Sequence, residues 1–235
     1  MADRHLAREH EDTAGSGGGV GTSHTQLEAL ELAMTGSDGT TGDVGGPSPA
    51  QRTALGLAEQ ARLVGAYEWV EQRLFEVLGS WVGTEVSEPA RVLFDLHSQQ
   101  HAWHAELFAE RLPVLSGVDR DSLCAAPGPE LETALELVGA AGGTLLRVGG
   151  VGRLVLPRLV ATYGLHLQRA VQVADAPLAR ALRLVLRDEI EAWRSTELMV
   201  EGLIRSEKDV ADVAGHLRAL EEPLIWAGPG LVPWP

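Results

Sequence analysis

Residues 89–113 read PARVLFDLHSQQHAWHAELFAERLP, a stretch that opens and closes on proline and has no glycine between. Proline is tolerated in the first turn of a helix and ends one it follows, so the stretch predicts a helix over about 89–112. Its apolar face begins with Leu93 and finishes with Leu107 and Phe108. Between them the same face carries His97, Gln100, His101 and His104, while Glu106 falls on the opposite side. A helix whose buried stripe is interrupted by imidazoles needs polar partners from its neighbours, because an unpaired polar group in a core is costly.

Working outward, the flanking sequence repeats the helical period and breaks at Gly or Pro. The reading is helix 1 over about 51–82, ended by Gly83, then helix 2. A crossover follows over about 114–143, with a short helix near Glu130–Val138. Helix 3 covers about 144–173 with a bend at Pro157, helix 4 about 176–205, and a last helix about 207–220. Short turns between helices 1 and 2 and between 3 and 4, with a long crossover between the pairs, predict an all-α antiparallel four-helix bundle. The expected organisation is a Gly/Ser/Thr-rich disordered tail over 1–49, the bundle over 50–222, and an apolar C-terminal tail over 223–235 whose Trp226 and Trp234 pack on the bundle.

Composition narrows the function classes. Thirty-three acidic against nineteen basic side chains leave a formal charge of −14, which opposes a nucleic-acid partner and an anionic membrane surface. Cys124 is the single cysteine, so the chain can build neither an intrachain disulfide nor a thiolate metal cluster. The charged start MADRHLAREHED lacks the apolar run of an export signal, no stretch is long and apolar enough to span a bilayer, and a cytoplasmic protein is expected. Within the tail, Gln26–Met34 (QLEALELAM) is a short amphipathic island that is either transient structure or a docking peptide for a partner protein. Gly150-Val151-Gly152 superficially resembles a phosphate-binding loop, but no strand precedes it and the P-loop lysine is missing.

The other helices also turn polar groups inward. The helix 1 stripe of Leu63, Tyr67, Val70, Leu74, Leu78 and Trp81 contains Glu71, with Glu68 at its edge and Glu76 facing away. On helix 3, Tyr163 and His166 lie among Val155, Leu156, Leu159 and Ala170; on helix 4, Glu189 lies among Leu182, Val185, Leu186 and Val200, with Asp188 at the margin. Depth agrees with convergence. Glu71 precedes the first turn by about 14 residues and His97 and His101 follow it by about 12 and 16, all roughly 20 Å from it along the helices. Tyr163 and Glu189 lie about 12 and 14 residues from the second turn, so a single polar layer across the helices is expected.

Glu71, the HSQQHAWH run of 97–104 and the DEIEAW run of 188–193, on four helices, give about 51–205 a resemblance to the ferritin-like family. That family's fold is a four-helix bundle around two iron or manganese ions, held by a Glu from each of two helices and a Glu-x-x-His from each of the other two. The resemblance makes Glu71, His97, His101, His104, His166 and Glu189 the candidate metal ligands, with Tyr163 and Gln100 beside them. The match is incomplete: helix 2 has Gln100 but no carboxylate in its stripe, helix 3 has Tyr163 and His166 in place of Glu, and Ala192 stands three residues after Glu189 where the motif has His.

Iron or manganese, as one ion or two, is therefore expected; zinc and nickel suit the same donors, and two carboxylates with up to four imidazoles suit one ion better than a bridged pair. The implied activity is an oxidoreductase acting with dioxygen or peroxide on a small-molecule substrate; iron storage is not the expected task. Two other readings stand beside it: a metal-free His–Glu–Tyr network in a structural or interaction protein with a vestigial site, and a pocket whose groups act as acid and base. Trp69, Trp103 and Trp193 read as packing or interface residues, which leaves room for a homodimer, and His5, His10, His24 and His216 have no assigned role.

Overall fold

The computed structural model describes residues 55–171 and 173–235. The expected disordered tail over 1–49 and its island Gln26–Met34 lie outside the described residues. Among the described residues the chain is all-helical, with no strand. The elements are α1 (Leu57–Val82), α2 (Glu88–Ala109), α3 (Pro129–Gly139), α4 (Thr144–Gly150), a π-helical turn (Val151–Val155), α5 (Leu156–Arg169), α6 (Ala176–Leu203), α7 (Glu207–Glu221) and a 3₁₀ segment (Glu222–Ala227).

Local chemistry accounts for the boundaries. Glu59 caps the start of α1 by accepting from the Gly56 backbone N–H at 2.8 Å, satisfying a donor that the helix itself leaves open. Pro89 and Pro177 sit in the first turns of α2 and α6, where a missing N–H does no harm. Ser206 accepts from Asp209 N at 3.2 Å to start α7. Helix α5 stops at Arg169, short of the predicted 173, because Ala170 turns extended (ψ 135°) and Asp175 accepts from Val171 N at 2.7 Å instead. Helix α6 likewise ends at Leu203, where Ile204 turns extended.

The expected bend at Pro157 takes the form of the π turn that immediately precedes it. A proline cannot donate to the carbonyl four residues back and its ring presses on that carbonyl, so widening the preceding turn relieves both. The glycines around it serve close packing, not phosphate. A β-carbon on Gly152 would stand 2.7 Å from Thr196 Cγ2, so this glycine lets the π turn lie against α6.

Helix α1 packs along α2 and α5 along α6, with α2 also touching α6. Ser98 of α2 donates to the Phe75 carbonyl of α1 at 3.0 Å. Glu85, buried in the turn between them, accepts from Thr144 at 2.6 Å and pairs with Arg147 at 3.1 Å, which ties this turn to the start of α4. The C-terminal residues 228–235 form a strap folded onto α5, in keeping with the expected packing. Leu231 and Val232 are buried, Leu231 N donates to Thr162 Oγ1 at 2.8 Å, and Arg158 donates to the Gly228 and Gly230 carbonyls at 2.7 and 2.9 Å. No helix among the described residues is long and apolar enough to cross a membrane.

Candidate metal centre

Four ionisable side chains from three helices meet in the interior: Glu71 of α1, His101 and His104 of α2, and Glu189 of α6, each no more than 2% exposed. One ligand-capable atom from each lies within 4.8 Å of all the others. The i, i+3 spacing of His101 and His104 puts both imidazoles on one face of α2, and Nδ1 of each turns inward. Glu71 Oε2 stands 2.5 Å from His101 Nδ1 and 3.5 Å from His104 Nδ1. Glu189 Oε1 stands 3.1 Å from His104 Nδ1 and 3.5 Å from His101 Nδ1. Nitrogen and oxygen therefore alternate around a small ring. The second oxygen of Glu71 accepts a short hydrogen bond from the Tyr163 hydroxyl of α5, which fixes the carboxylate's rotation.

Charge follows from this arrangement. Burial pushes the Glu71 carboxyl upward, but the charge and hydrogen bond of His101, then those of His104, outweigh it and hold the group down to about 2. Burial presses the His104 imidazole downward, yet the hydrogen bonds and charges of Glu189 and Glu71 carry it up to about 10. His101 moves upward for the same reason, against the same burial. Burial, then the charges of Glu71 and Glu189, keep Tyr163 well above the ordinary phenol range, so it remains a donor. A coupled acid–imidazole group of this kind titrates as a unit.

The predicted residues divide into those brought together and those left apart. His97 is buried one turn before His101, its Nδ1 without a hydrogen bond, and burial and the His101 charge take its imidazole down to about 3. His166 faces a different group: its Nδ1 lies 3.1 Å from the Tyr67 hydroxyl, and burial takes it down to about 4. Gln100 is half-buried and none of the cluster's hydrogen bonds reaches it. His216 of α7 is half-buried, and its Nε2 would meet a β-carbon on Gly150 at 3.2 Å.

Sequence reasoning left two participants without a role. Asp188, placed only at the margin, has Oδ2 3.5 Å from the outer nitrogen of His104; its signal was adjacency to Glu189 on the border of the α6 stripe. Tyr67 belongs by period to the apolar stripe of α1, yet a fully buried phenol must place its hydroxyl somewhere, and here it lies against His166.

Does the donor set fit a metal? Donor atoms bound to one ion at about 2.0–2.2 Å stand roughly 2.8–3.6 Å apart for octahedral to tetrahedral angles. Of the ring's edges of 2.5, 3.5, 3.1 and 3.5 Å the last three fall within that range, so only the Glu71–His101 edge has to open. Charge fits as well. Two carboxylates are neutralised either by two imidazolium protons or by one divalent cation between neutral imidazoles, so an ion replaces protons without leaving net charge in the core. Outside the ring, Glu189 Oε2 and His104 Nε2 are buried without a hydrogen bond, as is His97 Nδ1 one turn away, and Asp188 Oδ2 is the acidic atom near His104 Nε2 at 3.5 Å. Comparison with models of protein families, with curated proteins and with solved structures gave no match.

Proposed function

We propose that this protein is a divergent ferritin-like four-helix bundle whose principal helices α1, α2, α5 and α6 enclose one divalent ion of the iron, manganese or zinc group, held by Glu71, His101, His104 and Glu189. The observation that carries the reading is the alternating ring of two imidazole nitrogens and two carboxylate oxygens, all buried. Four donor atoms within 4.8 Å of one another, with Gln100 outside the ring, favour one ion over the bridged pair of the family pattern. Such a centre does not suit iron storage.

The ion would supply Lewis acidity or, as iron or manganese, one-electron chemistry, and we extend the reading to a cytoplasmic oxidoreductase that uses dioxygen or peroxide. The chain's own residues prepare the site. Tyr163 donates to Glu71 Oε1 and leaves Oε2 to face the ring. When His104 uses Nδ1 as a ligand, its remaining proton sits on Nε2, and Asp188 is the acidic neighbour for it. Phe108 packs beside Tyr163, with ring centroids 5.3 Å apart, and helps keep water from the hydroxyl. One observation favours the metal-free reading: Tyr163, His101 and His104 already give each carboxylate a hydrogen bond.

Elemental analysis of protein purified without a polyhistidine tag, followed by titration of the chelated protein with Fe(II), Mn(II) and Zn(II), decides between them. The expected result is one equivalent of a transition metal, lost in the His101→Ala/Glu189→Ala double variant while the helical circular-dichroism signal persists. No metal as isolated and no uptake by the chelated protein would overturn the proposal. Oxygen or peroxide consumption by the iron- and manganese-loaded protein, compared with the double variant, tests the redox extension.

A further inference from the structure

The chain contains two tyrosines, Tyr67 and Tyr163, and both are fully buried at 0% exposure. Each hydroxyl sits against a base. Tyr163 donates to Glu71 Oε1, and the Tyr67 hydroxyl lies 3.1 Å from His166 Nδ1. The two rings meet edge to face with centroids 5.0 Å apart. Tyr67 also packs against the His166 ring at 5.7 Å, and His166 against Trp234 of the C-terminal strap at 5.4 Å. Trp234 is half-buried, and the guanidinium of Arg169 lies 4.8 Å from the centre of its ring. An unbroken line of aromatic rings thus runs from the Glu71 carboxylate to the protein surface.

Close packing alone does not explain the chemistry along this line. A phenol gives up an electron readily only if its proton has somewhere to go at the same moment, and both phenols have a base within hydrogen-bonding reach. An indole needs no such partner and is the one redox-active ring of the line that meets solvent. The Arg169 charge disfavours a positive hole on Trp234 and so favours its passage inward. With its proton on Nε2, His166 can receive the Tyr67 proton at Nδ1. Beside it lies a polar cavity of about 10 Å³ bordered by Gln60, His166, Arg169 and Asp175, room for about one water molecule.

We propose that Trp234, His166, Tyr67 and Tyr163 form a one-electron path by which the buried centre exchanges electrons with a one-electron donor or acceptor at the surface. Its biological use rests on the metal reading above, but the path is a property of the polypeptide and can be tested without metal. A one-electron oxidant takes an electron from Trp234, whose indole proton passes to water. Tyr67 then passes an electron to the Trp234 radical, which regains a proton from solvent, while the Tyr67 hydroxyl proton moves to His166 Nδ1. Finally Tyr163 passes an electron to the Tyr67 radical; the proton returns from His166 to Tyr67, and the Tyr163 proton moves to Glu71 Oε1.

The experiment is pulse radiolysis of the full-length, chelated protein with azidyl radical as the oxidant, followed by transient absorption. Azidyl oxidises accessible indoles and cannot touch phenols at 0% exposure, so any phenoxyl signal must arise through the protein. The expected result is decay of the indole radical matched by growth of phenoxyl, at a rate independent of protein concentration. Trp234→Phe should slow that growth at least tenfold, as should Tyr67→Phe, because the second leaves Tyr163 beyond the break. Absence of phenoxyl in the wild type, or growth at an unchanged rate in Trp234→Phe or in Tyr67→Phe, would overturn the path. Far-ultraviolet circular dichroism and a urea-unfolding midpoint matched to the wild type for each variant separate a broken path from a disturbed fold. A protein that binds no metal yet shows the expected transfer would overturn the metal reading and leave the path standing.

Discussion

Two buried histidine environments sit a few side chains apart on either side of the tyrosine pair, and their protonation is driven in opposite directions. In the cluster, His101 and His104 share their burial with Glu71 and Glu189, and both imidazoles are driven towards the protonated form. At the strap end, His166 has a phenol on one side and an indole against its ring, and burial drives it towards the neutral form. Burial penalises the charged form in both places. What reverses the outcome is a carboxylate at hydrogen-bonding distance, supplied in one region by two helices and withheld in the other. The first region could trade its protons for a cation, and the second stays neutral.

Removing one anion from the first region should produce the largest effect. Glu71→Ala leaves His101 without its nearest carboxylate and Tyr163 without an acceptor in the dry interior. Breaking a buried charged pair from one side costs about 3–5 kcal/mol. His166→Leu removes only a neutral hydrogen bond and leaves the Tyr67 hydroxyl unsatisfied, for about 1–3 kcal/mol. Urea unfolding of the metal-free variants measures both. Equal losses would mean that the cluster is not charged in the way its geometry indicates.

The contrast also sets the pH profile of the metal-free protein. Glu71, with an ordinary carboxyl value of 4.5 held down to about 2, contributes stability that is complete above 4.5 and lost as the pH falls through that window. His97 and His166, held down to about 3 and about 4, add nothing above 6.5 and cost stability below it as their unfolded counterparts take up protons. His104, carried up to about 10, works in the other sense: its contribution is complete below 6.5 and disappears as the pH rises towards 10. Thermal melts should therefore show a maximum near neutrality, falling on both sides. Bound metal should abolish the alkaline fall, because it requires the deprotonated imidazoles. An alkaline fall that is identical with and without saturating metal would break the comparison at its root.

How much of this was legible in the sequence differs between the two regions. The all-helical architecture followed from periodicity and from Pro and Gly punctuation, and Pro89 marks the start of α2, whereas its end at Ala109 falls ahead of the predicted 112 and of Pro113. That Glu71, Glu189 and the α2 histidines share a level followed from counting residues to each turn. Which histidines meet the carboxylates did not follow, because such a count leaves a margin of about one helical turn. His97 and His101 are separated by that one turn, as are Tyr163 and His166. The choice between them depends on how each helix is rotated against its neighbours. That rotation is set by close contacts such as Gly152 on Thr196 and Ser98 on the Phe75 carbonyl, neither of which has a periodic signature. The strap was harder still, since its course over α5 depends on Arg158 and Thr162 capturing backbone groups from residues about 70 positions later.

The smallest effect expected is also the one that isolates orientation from charge. The outer nitrogen of His104 has an acidic neighbour, Asp188, at 3.5 Å, whereas the ring of His166 is covered by Trp234. If His104 is a ligand through Nδ1, Asp188 holds the ring in place and raises its basicity without touching the ion. Losing such support lowers metal affinity by about 10–100-fold. Asp188→Asn keeps the side chain's shape and a group able to accept from Nε2–H, so it should fall at the lower end, about tenfold, and Asp188→Ala should lose more. Because Asp188 is partly exposed, neither change should lower the unfolding free energy of the metal-free protein by more than about 1 kcal/mol. Competitive titration against a chelating dye reads the affinity, and urea unfolding reads the stability. A loss of stability with unchanged affinity would make Asp188 a packing residue and would turn His104 away from the ion.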